Sequence, residues 1–188
     1  MTNIKLDNHL LPSQICVPNI ASEILEIGYL KILGTSDVDC SYVNGINNPK
    51  VSRWLISSSQ KKFSKDSIIS YVEANNNDPS SLLFGFYLNG QLRGTARLHD
   101  ANLEYVNIGV AVFDVNIWGK SWAPSIIISL CDITQKCFNI VTFKAGIDIH
   151  NAASIKAFTK AGFKRASNAT VQYKKGTALF LIKNFVDN

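Results

Sequence analysis

A predicted β-hairpin near the middle of the chain constrains the fold more than any other segment. The apolar residues Leu82 to Leu88 lead into Asn89-Gly90, and Gln91 to Leu98 forms the returning strand. An Asn-Gly pair tolerates the positive φ angles of a type I′ turn, which joins antiparallel strands tightly. The chain is therefore expected to contain at least one pair of adjacent antiparallel strands.

Helices and further strands alternate around this hairpin. Side chains of residues 23–33 alternate in polarity, which predicts a strand, and Thr35 or Ser36 is expected to cap the helix that follows. Ser64 is expected to cap another helix. Further helices are predicted at 121–138, at 152–160 and around Val51, Trp54 and Leu55, and further strands at 104–113, 140–149, 169–174 and 177–184. This order predicts an α+β domain with a central mixed, mostly antiparallel sheet of about seven strands and flanking helices.

The N-terminal residues are expected to lie outside that domain. Pro12 and Pro18 interrupt any regular pattern, so residues 1–23 are interpreted as an irregular N-terminal arm and residues 24–188 as one domain. Residues 1–20 lack the basic start and unbroken apolar stretch of a signal peptide. No apolar run reaches the roughly 18 residues needed to cross a membrane, so a soluble, cytoplasmic protein is expected.

Charge and cysteine content limit the classes of ligand. The chain has 19 Lys and Arg residues against 14 Asp and Glu residues, a formal net charge of +5. This excess suits nucleic acid or a small polyanion, but the basic pairs do not extend into a tract, which favours an ordinary solvated surface. The four cysteines form no CxxC pair and no zinc-like spacing with the three histidines, so no metal site is predicted.

The segment from Val110 to Ala123 is the first that carries chemistry. An apolar strand runs into a polar loop containing Gly119, and the loop opens directly onto a helix. Backbone N–H groups in such a loop, together with the helix N-terminus, bind phosphate or pyrophosphate without many cationic side chains. The alternative is that Gly119 only relieves a tight turn. The longer glycine patterns of dinucleotide and triphosphate sites are absent.

A second segment, from His150 to Phe163, begins about 30 residues after the first loop. A buried strand ends here, Asn151 is placed to cap a helix, and Gly162-Phe163 closes that helix. As structural residues, Asn151 is a cap and Ser154 lies on the helix face. As functional residues, both would lie beside the opening between the two strands.

Together the two segments resemble the GCN5-related N-acetyltransferase (GNAT) superfamily, in particular its group of ribosomal-protein N-terminal and amino-sugar acetyltransferases. Residues 118–123, Trp-Gly-Lys-Ser-Trp-Ala, are similar to the family's pyrophosphate loop, and residues 47–55 to the group's early helix. The later NxxSxxxxxKxGF element is matched by Asn151, Ser154, Lys160, Gly162 and Phe163. The resemblance covers roughly residues 24–184.

The resemblance implies acetyl-CoA as cosubstrate and assigns residues to it. The pantetheine arm is expected to pair with the backbone of Val110, Ala111 and Val112. Asn151 is expected to bond the pantetheine or hold the loop, and Ser154 to approach the thioester sulfur. The pyrophosphate is expected on the backbone N–H groups of Trp118, Gly119, Lys120, Ser121, Trp122 and Ala123. Ser121 replaces the motif's second glycine, which restricts φ but keeps the N–H donor.

The catalytic acid and base are less well defined by the resemblance. Phe158 stands where many relatives have a tyrosine acid, which makes Ser154 the candidate to protonate the leaving thiolate. Asn107 stands where several relatives have a catalytic glutamate, and an amide accepts no proton at neutral pH. The general base is therefore left open among a chain of water molecules and the side chains of Glu104, His150, His99, Asp100 and Asp148.

The predicted activity is transfer of an acetyl group from acetyl-CoA to a primary amine by direct attack. The favoured acceptor is the amine of a nucleotide-linked amino sugar, and the alternative acceptor is a protein N-terminus. A third hypothesis is that the chain is a domain that binds acyl-CoA without catalysing a reaction. The expected partners are acetyl-CoA and a small amine, without nucleic acid or membrane, and the sequence leaves open whether the chain forms a homodimer.

Overall fold

A single mixed sheet organises the molecule. The computed structural model describes residues 4–21, 27–55, 62–173 and 176–185. Within these residues the strands are β1 (Ile15–Pro18), β2 (Ile27–Ile32), β3 (Leu82–Leu88), β4 (Gln91–His99), β5 (Val106–Val112), β6 (Thr142–Asp148), β7 (Lys164–Tyr173) and β8 (Gly176–Asn184). Their order is β1-β2-β3-β4-β5-β6-β8-β7, and only β5 and β6 pair in parallel. The α+β class is confirmed, with eight described strands where about seven were expected.

Helices cover both faces of this sheet. They are α1 (Cys40–Asn47), α2 (Pro49–Ser52), α3 (Lys65–Asn77), α4 (Trp122–Phe138) and α5 (Ala152–Lys160). Leu83 packs with buried residues of α1, α2 and α3, whereas its neighbours Leu82 and Phe84 pack with those of α4 and α5. Because side chains alternate along a strand, α1–α3 lie on one face and α4–α5 on the other. No helix among the described residues is long and apolar enough to span a membrane.

The predicted hairpin is confirmed. Strands β3 and β4 pair in antiparallel register, and the residues between them, Asn89 and Gly90, have φ angles of 52° and 73°. Two successive positive φ angles are the signature of a type I′ turn. The turn therefore sets the pairs Leu88–Gln91 and Tyr87–Leu92, and an irregularity at Arg93 shifts the register before Gly94 to Leu98 run beside β5.

The helix caps are confirmed at two positions and wrong at one. The Ser64 hydroxyl accepts the Ser67 N–H and begins α3, as expected. The prediction that Thr35 or Ser36 begins a helix is wrong, because Thr35–Asp37 forms a single turn of 3₁₀ helix. The carboxylate of Asp39 accepts the Tyr42 N–H at 2.8 Å and caps α1 instead. Asn151 caps α5 and is described with the site.

The irregular conformation expected for the N-terminal arm is wrong for Ile15–Pro18, which forms β1 on the edge of the sheet beside β2. Val17 is fully buried, and the Ile20 N–H donates to the Ser125 hydroxyl in α4. The two prolines do not prevent this strand, because Pro12 lies before it and Pro18 is its last residue. Residues 23–26 of the predicted next strand lie outside the described residues. The division at residue 23 stays a prediction.

Candidate active site

The sheet divides between β5 and β6, and a cleft of about 680 Å³ opens at the division. The two strands pair only where Val106 faces Phe143 and Asn107 faces Lys144. Beyond these pairs the strands separate, although each continues for several residues. The cleft is lined by β5, the loop after it, the first turns of α4 and α5, the end of β6 and residues around α2.

Backbone groups of β5 point into this cleft. The Phe113 N–H donates to the Arg93 carbonyl of β4, so alternate residues of β5 face β4 and those between them face the cleft. The Val112 carbonyl accepts the indole N–H of Trp118 at 2.7 Å, which ties the following loop to the strand. The N–H and carbonyl of Val110 lie on the same side. This edge offers hydrogen bonds to an extended, amide-containing ligand.

The loop at the outer end of the cleft presents further donors. Gly119 has a φ of +78°, and a Cβ built on it would meet no atom within 4 Å. Ser121 also has a positive φ, 63°, and its side chain does not cap α4. Among the described residues, the first-turn N–H groups of Trp122 and Ala123 donate to no protein acceptor. Uncapped N–H groups at the start of a 17-residue helix suit an anion such as pyrophosphate.

Among the charged side chains that line the described part of the cleft, cationic ones outnumber anionic ones. Arg53, Lys156 and Lys160 line the cleft, and Asp148 is the carboxylate among the lining residues. The loop residue Lys120 is exposed and does not line the cleft. No role was predicted for Lys156 from the sequence, although its spacing of four from Lys160 places both on one side of α5. No group of His, Cys, Asp or Glu residues that fits a metal ion was found among the described residues.

The second predicted segment forms the opposite wall of the cleft. The Asn151 side-chain oxygen accepts the Ser154 N–H at 3.1 Å, which confirms Asn151 as the cap of α5. Ser154 is half-buried and lines the cleft. His150 also lines it but is exposed, and its N–H donates to the Asp148 carboxylate at 2.8 Å. Phe158 is 3% exposed, deeper along the same helix.

Two predicted catalytic residues do not line the cleft. Glu104 was placed within a strand, which is wrong: it lies exposed in the turn before β5, where its N–H donates to the Asn102 side chain. Asn107 is in β5, one residue before Ile108, the first residue of the strand to line the cleft. Its amide nitrogen donates to the Asp100 carboxylate at 3.2 Å.

Residues after α2 complete the opening of the cleft. The sequence predicted Val51, Trp54 and Leu55 in one short helix, but α2 ends at Ser52, and both Trp54 and Leu55 line the cleft. The Arg53 guanidinium lies 4.8 Å from the centre of the Trp54 ring. Helical spacing alone misplaced these residues, because the four-residue helix leaves them in turns. Gly109, on the adjacent part of β5, has no atom within 4 Å of where a Cβ would lie.

Comparisons of fold agree on one family of structures. The Mycobacterium smegmatis RimJ structure with CoA-disulfide has a TM-score of 0.75 at 14% identity, over 85% of this chain and 82% of that one. Spermidine N-acetyltransferase from Vibrio cholerae, with CoA and spermine, has a TM-score of 0.70 at 15% identity, over 84% of this chain and 95% of that one. Aminoglycoside acetyltransferase AAC(6')-Ib, with coenzyme A and kanamycin, has a TM-score of 0.68 at 16% identity, over 82% and 93%.

Comparison of the sequence itself identifies the family. No curated protein matches the chain in sequence. The family model described as "Acetyltransferase (GNAT) domain" matches residues 32–164, which include α1–α5 and the strands β3 to β6 that form the cleft. The match covers well over half of the chain and both motifs, so the chain belongs to the GNAT acetyltransferase family.

Proposed function

We propose that this chain transfers an acetyl group from acetyl-CoA to the primary amine of an amino sugar, with a nucleotide-linked amino sugar as the favoured acceptor. The separation of β5 from β6 carries the proposal. It leaves the Val110 backbone groups facing a cleft whose outer end holds the N–H groups of Trp122 and Ala123. These donors fit the amides of a pantetheine arm and a pyrophosphate, in that order along the cleft.

The chain's residues divide the work of binding. Val110 and the N–H of Val112 supply the strand edge, whereas Ala111 faces β4. The diphosphate is held by the N–H groups of Gly119, Ser121, Trp122 and Ala123, because those of Trp118 and Lys120 already donate to the carbonyls of Val115 and Ile117. Asn151 fixes the first turn of α5 and so places Ser154 in the cleft wall. Acetyl-CoA supplies a thioester, whose carbonyl carbon an amine attacks directly. The main contribution of the protein is to hold both reactants in contact.

Ser154 is proposed to protonate the leaving thiolate. It is the hydroxyl-bearing residue of α5 that lines the cleft, and Phe158 offers no hydroxyl deeper along the helix. By protonating the sulfur as it leaves, a general acid of this kind avoids the formation of a free thiolate anion in a site that is partly shielded from water. Binding of acetyl-CoA should depend on Ser154 much less than turnover does.

The charge of the cleft supports an anionic acceptor. Three cationic side chains and one carboxylate line the described part of the cleft, which disfavours polycations such as spermine. The neighbour bound to kanamycin supports an amino-sugar acceptor, and Trp54, which lines the cleft, offers an apolar surface to a sugar ring. A nucleotide-linked amino sugar combines a ring, an amine and negative phosphates. The cytoplasmic location stays a prediction, as does the absence of nucleic-acid and membrane partners.

A binding measurement followed by an acceptor panel tests the proposal. Calorimetry should detect acetyl-CoA binding, and a thiol-release assay should show turnover with nucleotide-linked amino sugars in preference to free amino sugars, spermidine and N-terminal peptides. Turnover of peptides alone would establish the protein N-terminal acetyltransferase instead. Binding of acetyl-CoA without thiol release from any acceptor would support the binding-only alternative, and no binding would contradict all three.

A further inference from the structure

A histidine–carboxylate pair lies at the inner end of the cleft, outside the residues that line it. His99 is the last residue of β4, and its Nδ1 is 2.7 Å from the Asp100 carboxylate oxygen Oδ2. The same oxygen accepts the Asn107 amide at 3.2 Å. His99 and Asn107 are also directly opposite each other in the β4–β5 register. Asn107 therefore fastens the pair to the strand that forms the cleft wall.

The pair borders open space on the α1–α3 face of the sheet. Ile108 packs in the core under α4, so its neighbours Asn107 and Gly109 point to the opposite face. On that face a Cβ on Gly109 would meet no atom within 4 Å. His99 lies diagonally across the ladder from Gly109, at roughly 7–8 Å between Cα atoms in such pairs. That separation leaves room for one water molecule between the His99 ring and a group bound over Gly109.

Gly109 lies where an acceptor reaches the inner end of the cleft. It lines the cleft two residues beyond Asn107, the last residue of β5 that pairs with β6. The phosphate-binding loop lies beyond the other end of β5, so the reactive end of a ligand running along β5 comes to the inner end. Trp54 and Leu55 border the cleft as well. Leu55 packs with the α1–α3 cluster, on the same face of the sheet as His99, so an amine that enters past Leu55 reaches Gly109 from that face.

The ionisation of His99 suits a proton acceptor. Burial lowers the pKa of His99 below its usual 6.5, and the Arg97 guanidinium lowers it further. The carboxylates of Asp100 and of Asp78, at the end of α3, act in the opposite direction without reversing the shift. The imidazole is therefore neutral at pH 7. Because Nδ1 donates its hydrogen to Asp100, Nε2 carries the free lone pair.

We propose that His99, oriented by Asp100 and Asn107, is the base that takes a proton through one water molecule from the acceptor ammonium bound over Gly109. The inference rests on the proposed function. The ammonium gives one proton to Nε2, and the neutral nitrogen forms a bond to the thioester carbonyl carbon as the carbon–sulfur bond breaks. The Ser154 hydroxyl gives its proton to the thiolate sulfur and recovers a proton from the nitrogen, and His99 returns its proton to solvent.

The pH dependence of kcat for the full chain tests this assignment. The wild-type kcat should fall as the pH drops through the pKa of His99, below 6.5, because an imidazolium accepts no proton. His99→Gln should lower kcat at pH 7 by about 100-fold or more. In this variant the acidic limb of the pH profile, where kcat falls at low pH, should follow the pKa of the acceptor amine and no longer that of His99. Asp100→Asn should keep the limb but move it to lower pH, because the imidazolium loses its carboxylate partner.

The other two histidines of the chain provide the comparison. His9 is exposed in the N-terminal segment, so His9→Gln should retain both the wild-type rate and the wild-type profile. If His150→Gln abolishes the acidic limb while His99→Gln retains it, the base is His150 and the inference is wrong. Calorimetry should show unchanged acetyl-CoA affinity for His99→Gln, which separates lost chemistry from lost folding. A wild-type chain that turns over no amine would contradict the proposed function and this inference together, whereas a fully active His99→Gln would contradict the inference alone.

Discussion

At the scale of single residues, the phosphate-binding loop depends on backbone conformation more than on side-chain charge. Ser121 stands where the family motif has a glycine, and it adopts the left-handed φ of 63° that glycine adopts readily. The sequence predicted a restricted φ but a retained N–H donor. The structure shows that the left-handed conformation is kept as well, at a cost of about 1–2 kcal/mol for a residue with a side chain. This strain fits the proposal that the conformation of the loop is needed to bind the diphosphate.

The role of Ser154 can be separated from the role of its helix. Ser154→Ala should lower kcat by about 10- to 100-fold, because a positioned proton donor contributes at least that much, and should leave acetyl-CoA affinity within about twofold. Thr159→Ala, an exposed substitution on the same helix, is the control and should change neither quantity. Steady-state kinetics and calorimetry on both variants measure the difference. Equal kcat for Ser154→Ala and wild type would show that Ser154 only lines the cleft and is not the proton donor.

At the scale of secondary-structure elements, the sequence predicted correctly the turn and the helix caps that depend on a few neighbouring residues. The Asn-Gly turn and the Ser64 and Asn151 caps are set by neighbouring residues, and all three are confirmed. The 3₁₀ turn at Thr35–Asp37 was missed because two aspartates compete as cap, and the carboxylate of Asp37 accepts the Gly34 N–H at 2.8 Å. Strand β7 begins at Lys164 rather than at 169, since β8 supplies the partner that the sequence does not show.

The N-terminal strand β1 is an integral part of the packing, although the family match begins only at residue 32. Val17→Ala removes a fully buried side chain between the sheet and α4, and should lower the free energy of unfolding by about 2 kcal/mol. Cys16→Ala is the matched control, because Cys16 is exposed on the other face of the same strand, and should cost less than about 0.5 kcal/mol. Chemical denaturation measures both. Similar values for the two variants would show that the arm is dispensable for stability.

At the scale of the whole molecule, the sheet consists of two blocks, β1–β5 and β6–β8, that meet at only two register pairs. Periodicity along the sequence predicted β5 and β6 as strands but not their separation, because the point where two strands part depends on packing between distant segments. The motifs located the loop and helix starts correctly on the cleft. The sequence named His99 and Asp100 among several candidate bases but could not single them out, because their contacts with each other and with Asn107 depend on the pairing of β4 with β5.

Acetyl-CoA should bridge the two blocks. At about 100 times its Kd it should add about 2.7 kcal/mol to the free energy of unfolding, which raises Tm by about 5–10 °C for a chain of this size. Amide hydrogen exchange should slow at Val110, which faces the cleft, and stay unchanged at Ala111, which already faces β4. Stabilisation with no added protection at Val110 would contradict strand-like binding of the pantetheine arm.

The division of the sheet also gives it four strand edges where an unbroken sheet has two. Open edges are the places where strands of other molecules attach and where aggregation begins. If the inner edge of β5 binds the pantetheine arm as proposed, prolines or bulges cannot protect that edge, because its unpaired backbone groups are the ligand's partners. Acetyl-CoA bound in this way would cover the β5 edge, so we expect the solubility of this protein in the cell to follow the supply of its own substrate.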